Sequence, residues 1–136
     1  MVRVFFNKRG TGKTKNLINF ANEKVSEDKG DIVFIDDNRR HILELERRIR
    51  FISTNEFSIM DSNSFYGFLC GIISEDYDID SIYIDELYDI VQVDSENAAH
   101  LFSKLEKLSE NYNVDFYINI CDEAGCLPEY IKKYVA

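Results

Sequence analysis

Short apolar runs recur along the chain with helical periodicity between them. V-R-V-F-F opens it, I-V-F-I follows at Ile32 to Ile35, S-I-Y-I lies at Ser81 to Ile84, and V-D-F-Y-I-N-I ends at Ile120. Strands that are apolar on both faces and separated by helical segments read as parallel strands joined by crossover helices. The pattern therefore predicts an α/β chain: a three-layer αβα sandwich around a mainly parallel sheet of about five strands, with R-F-I-S at Arg50 to Ser53 as an edge strand.

The helical segments are read from spacing. Leu17, Ile18, Ala21 and Val25 mark a helix from Thr14 to about Ser26, and Phe65, Phe68, Leu69, Ile72 and Ile73 mark another after the cap sequence D-S-N-S. Ile42, Leu45 and Ile49 suggest a weaker helix started by D-D-N. Asp94 or Ser95 opens the most regular one, with Ala98, Leu101, Phe102, Leu105, Leu108 and Tyr112 three or four apart. L-P-E-Y-I-K-K-Y-V reads as a short closing helix with Pro128 near its first turn.

A chain of 136 residues is expected to be one domain, residues 1–136, with no room for a separate substrate domain. One proline and six glycines leave no linker or low-complexity segment, and no apolar run is long enough for a membrane span, so a cytoplasmic location is expected. Cys70, Cys121 and Cys126 contain no C-x-x-C pair and lie far from His41 and His100, which suggests neither a disulfide framework nor a zinc site. The net charge of −9 argues against nonspecific nucleic-acid binding. That charge is uneven: residues 1–50 hold 12 of the 16 basic and 8 of the 25 acidic side chains, so this stretch carries +4 and the rest −13. A solvated surface and a charge-guided head-to-tail contact between copies are both compatible with this asymmetry.

The first strand runs into N-K-R-G-T-G-K-T and then a helix. Backbone N–H groups of a glycine-rich loop opening a helix converge on one point, where the helix dipole also favours an anion. Lys8, Arg9, Gly10, Thr11, Gly12, Lys13, Thr14 and Lys15 are the candidate nucleotide-binding residues. Lys13 would reach the β and γ phosphates, and the Thr14 hydroxyl would coordinate Mg²⁺. Asn7 stands where the pattern G-x-x-x-x-G-K-[ST] has its first glycine; asparagine tolerates left-handed backbone better than most residues, so the phosphate-facing half of the loop is expected to survive.

S-I-Y-I-D-E is an apolar strand delivering two acids. Asp85 would hold Mg²⁺ through water or Thr14, and Glu86 could polarise an attacking water. Asn119 interrupts the last apolar strand and needs a hydrogen-bond partner: a γ phosphate, an attacking water, or neighbouring backbone. Arg39, Arg40, Arg47, Arg48 and Arg50 could supply an arginine finger or form a solvated helix face pairing with Glu44 and Glu46.

With R-G-T-G-K-T after a strand, I-Y-I-D-E ending a later one and Asn119 on the next, the chain resembles P-loop NTPases that have an additional strand between the two Walker strands, such as RecA-like ATPases and thymidine-kinase-like enzymes. It also looks like short bacterial P-loop proteins labelled as relatives of the twitching-motility ATPase. The resemblance implies that the Asn119 strand lies between the strands leading to Lys13 and Asp85. It further implies ATP or another nucleoside triphosphate with Mg²⁺ as ligands, and Lys13, Glu86 and Asn119 as catalytic residues. A slow Mg²⁺-dependent ATPase acting as a switch or partner-activated subunit is the expected function. A nucleoside or nucleotide kinase with residues 36–75 as acceptor pocket, and a non-catalytic interaction or self-assembly module, remain open.

Overall fold

The computed structural model describes residues 1–7, 12–121 and 126–135. Its sheet has five strands, all parallel: β1 (Val2–Asn7), β2 (Asp31–Asp36), β3 (Arg50–Ser53), β4 (Ile79–Ile84) and β5 (Asp115–Cys121), in the spatial order β1-β5-β4-β2-β3. The expected α/β class holds, and β5 lies between β1 and β4. The R-F-I-S segment is the edge strand β3.

Helices cover both faces. Leu17, Ile18 and Ala21 of α1 (Lys13–Val25) pack on Ile32, Phe34, Tyr83 and Tyr117. On the opposite face, α2 (Ser62–Glu75) and α4 (Ser95–Tyr112) bury Phe65, Leu69, Leu101 and Leu105 against Val33, Ile35, Ile82, Ile84 and Ile118. The two sets alternate along each strand because successive side chains of a strand point to opposite faces. Carboxylate caps start α2 and α4: Asp61 accepts from Ser64 N–H at 2.7 Å, and Asp94 from Asn97 N–H at 2.8 Å. A four-residue helix, α3 (Leu87–Ile90), follows β4 directly and was not evident from the spacing. Among the described residues, no helix is long and apolar enough to cross a membrane.

Two stretches differ from the periodicity. The helix expected over Ile42, Leu45 and Ile49 is replaced by one 3₁₀ turn, Ile42–Glu44, and then a second turn in which Ile49 N–H donates to Glu46 C=O at 3.0 Å. The cause is Asn22 on α1, whose Nδ2 donates to Glu44 C=O at 2.9 Å while its Oδ1 accepts from Glu46 N–H at 2.9 Å. The amide thus occupies backbone groups that a helix would use internally, and Ile49 reaches the α1-side core from the end of this turn. The closing segment forms 3₁₀ turns over Glu129–Tyr134 after Pro128, rather than an α-helix.

On the α1 side, registered residues form rows across the sheet. Arg3, Tyr117, Tyr83, Phe34 and Phe51 make one row, continuous through the pairs Arg3↔Tyr117, Tyr83↔Tyr117, Phe34↔Tyr83 and Phe34↔Phe51. Its rings stack: Tyr83 on Tyr117 at 4.9 Å, Phe34 on Tyr83 at 6.3 Å, and Phe34 on Phe51 at 6.4 Å between centroids. Phe20 of α1 meets Tyr117 and Tyr83 edge-on at 5.0 and 5.9 Å, locking the helix over this layer.

Replacing Asn22 by alanine should release residues 44–46 from α1. Hydrogen exchange at the Glu46 amide should rise about tenfold and global stability should fall by about 1 kcal/mol in urea. Unchanged exchange at Glu46 would show that this clamp does not hold the segment.

Candidate functional site

One step nearer the carboxyl ends of the strands, the α1-side row becomes polar. Phe5 pairs with Asn119 and Asp36 with Ser53; Asp85 follows Ile84, which pairs with both Ile35 and Ile118. Asn119, Asp85 and Asp36 therefore stand side by side on β5, the end of β4, and β2. They are 1%, 2% and 3% exposed. Buried polar side chains on three adjacent strands at one level need partners or a ligand.

Asn119 finds its partners within the protein. Its Nδ2 donates to Lys13 C=O and to Asp85 Oδ1, both at 3.0 Å. This ties the first turn of α1 to the strand that ends in Asp85. The backbone-satisfied alternative weighed for Asn119 accounts for one of these bonds, and in this arrangement the amide positions Asp85.

Helix α1 begins at Gly12, whose φ of 73° and ψ of 23° lie in the left-handed region that glycine enters without strain. Among the described residues no side chain caps this start, whereas carboxylates cap α2 and α4. The Thr14 side chain faces Asp85 and, with the Asn119 amide, draws its pKa down; burial outweighs both, so the Asp85 carboxyl lies above its ordinary value. Burial likewise raises Asp36, up to about 8, with hydrogen bonding to Asp37 and the Asp85 charge adding to it.

A cavity of about 230 Å³ opens above this row. Gly12, Lys13 and Thr14 form its α1 wall, and Asp85, Glu86 and Asp89 continue it at the end of β4. Glu86 occupies a left-handed backbone position with φ 51°, and its Oε1 accepts a hydrogen bond from the Cys121 thiol at 3.1 Å. The structure thus brings together Lys13, Thr14, Asp85, Glu86 and, beneath them, Asn119. Lys15 is exposed and does not line the cavity. Lys8, Arg9, Gly10 and Thr11 lie outside the described residues.

The far wall comes from residues not singled out by the sequence reading: Asp36, Asp37 and His41, joined by Arg40 from the arginine-rich stretch. A signal for the acids was present, since I-V-F-I-D-D ends a strand in two acids just as S-I-Y-I-D-E does. The arginine group does not form a helix face paired with Glu44 and Glu46. Arg39 pairs with Glu56 at 2.7 Å, Arg48 with Asp28 at 2.6 Å, and Glu44 with His41 at 2.5 Å. The cause is again the non-helical path of residues 45–49, which removes the helical spacing such pairs require.

The donor set is oxygen-rich: two buried carboxylates and a threonine hydroxyl. Among the described residues no group of three or more His, Cys, Asp or Glu side chains is gathered closely enough to hold a metal ion unaided. Such a set suits Mg²⁺ held by one or two carboxylates with ligand oxygens completing the shell, rather than a closed protein cage. Comparison with protein-family models and with curated proteins finds no match for this chain.

The raised pKa of Asp36 has a definite sign in stability. Between about pH 4 and about pH 8 the folded chain keeps a proton that the unfolded chain releases, so stability contributed by Asp36 is lost as pH rises through that window. Asp36→Asn keeps an oxygen for the Asp37 N–H and should flatten this decline. Urea midpoints measured across the window should show the variant gaining on wild type toward pH 8; parallel curves would contradict the buried-acid assignment.

Proposed function

We propose that the chain binds a nucleoside triphosphate with Mg²⁺ at the start of α1 and hydrolyses it slowly, as a switch or a partner-activated subunit. The observation carrying this reading is the meeting of Lys13, Thr14 and Asp85 on the wall of a polar cavity at the start of α1, tied together by the Asn119 amide beneath. The P-loop NTPase resemblance of the motifs agrees with it.

In this reading, the N–H groups of the first turn of α1 and the Lys13 ammonium receive the β and γ phosphates. Thr14 and Asp85 would hold Mg²⁺, which supplies positive charge against the phosphate oxygens in the transition state. Glu86 would accept a proton from the attacking water as its oxygen bonds the γ phosphorus and the bond to the β–γ bridging oxygen breaks, leaving a diphosphate. The Cys121 thiol restrains one Glu86 oxygen, and the Asn119 amide restrains Asp85.

Titration calorimetry with ATP and Mg²⁺ should give saturable heat for wild type. Lys13→Ala should weaken binding by at least about tenfold, and Asp85→Asn should remove most of its dependence on Mg²⁺. Equal heats from wild type and Lys13→Ala, or none from either, would sink the reading.

One observation favours phosphoryl transfer to an acceptor other than water. The wall formed by Asp36, Asp37, Arg40 and His41 is charged, lies opposite Lys13, and offers groups that could orient a second polar molecule. With labelled ATP and a panel of nucleosides and nucleotides, a kinase would show acceptor-dependent label transfer above hydrolysis. Transfer to water alone would leave the ATPase.

A further inference from the structure

The row of Asp36, Asp85 and Asn119 continues outward to Phe5 on the edge strand β1. There a second cavity, of about 280 Å³, opens between β1 and α1. Phe5, Leu17 and Phe20 provide its apolar lining, with the two rings edge to face at 6.3 Å. Arg3 and Asn16, both exposed, add polar groups at its lining, and its remaining lining residues are Lys13 and Asn119. Lys13 thus lines both this cavity and the polar one.

We propose that this β1–α1 cavity receives the base of a nucleoside triphosphate whose phosphates lie at the start of α1. The assignment rests on the phosphate reading given above and adds where the rest of the molecule goes. Three features argue for a base. The volume lies just below the usual range for small-molecule pockets, which suits one ring system better than a whole nucleotide. The lining pairs aromatic rings with a guanidinium and an amide; aromatic edges and a stacking guanidinium suit the faces of a planar heterocycle, while Asn16 supplies both a donor and an acceptor for its edge. A free phosphate would gain little from Phe5, Leu17 and Phe20. The opposite end of the row, at Asp36, Asp37, Arg40 and His41, is charged and offers no apolar surface of this kind. A ligand anchored by its phosphates between the two ends therefore turns its ring toward β1.

The test compares Mg²⁺ with inorganic tripolyphosphate against Mg²⁺ with ATP, GTP, CTP and UTP, by titration calorimetry on the full chain. Wild type should bind at least one nucleotide about tenfold more tightly than tripolyphosphate. Arg3→Ala and Asn16→Ala, which remove exposed side chains, should bring that nucleotide close to tripolyphosphate while leaving tripolyphosphate binding unchanged. On labelled wild-type protein, the Asn16 side-chain amide resonances should shift with the preferred nucleotide and stay in place with tripolyphosphate. Equal affinity for tripolyphosphate and every nucleotide, or variants that weaken both ligand types alike, would overturn the base site while leaving the phosphate site standing. If wild type binds none of these ligands, the phosphate reading fails and takes the base site with it.

Discussion

The amide of Asn119 joins the parts of the molecule on which everything at the strand ends depends. One donated bond reaches the first-turn carbonyl of Lys13 and the other reaches Asp85. A buried amide left without partners would cost a few kcal/mol, on the order of 1–3 per group, so this geometry is enforced by desolvation as much as by attraction. Its consequence is positional: the start of α1, with Thr14, is held against the end of β4. The stacked rings of Tyr117, Tyr83 and Phe34, with Phe20 wedged edge-on against the two tyrosines, form the apolar layer beneath and stop the helix from sliding along the sheet.

Above that layer the same burial that orders the site makes it electrostatically unsatisfied. Asp85 and Asp36 occupy adjacent strands at one level, and each carboxyl is pushed up chiefly by desolvation. Two acids so placed share too little solvent to ionise freely, and the hydrogen bonds from Asn119 and Thr14 offset only part of that cost. A cation placed beside them would favour both charged forms at once, whereas an uncharged group would leave burial acting against them. Two carboxyls buried at one level therefore favour positive charge beside them.

Much of this was legible because its signals are local. Parallel strands announce themselves as apolar runs, α4 by its regular spacing, and the Asp94 cap by its place before Ser95. The loop–helix join was readable from Gly12, Lys13 and Thr14, since glycine and a helix start carry their chemistry in adjacent residues. What escaped depends on contacts distant in sequence. The segment around Ile42 has helical spacing, but Asn22, more than twenty residues earlier, captures its backbone. Asp36 carries the same strand-end signature as Asp85; its membership of the site became visible only through the strand order, which places β2 directly beside β4.

That strand order also sets how the character of the surface changes across the strand ends. The polar row runs from Phe5 on the edge strand, through Asn119 and Asp85, to Asp36 beside the other edge, and its character changes along its length. The β1 end is aromatic, the centre holds a helix start and buried acids, and the β2 end is charged on both signs through Asp37 and Arg40. Register distributes these characters, because parallel pairing carries one level of each strand to the same height on the same face. A single-residue slip of β5 against β4 would turn Asn119 to the α2–α4 side and leave Asp85 without its amide partner. The register of that one strand pair is thus the condition on which both the fold's α1-side core and any chemistry at its rim depend.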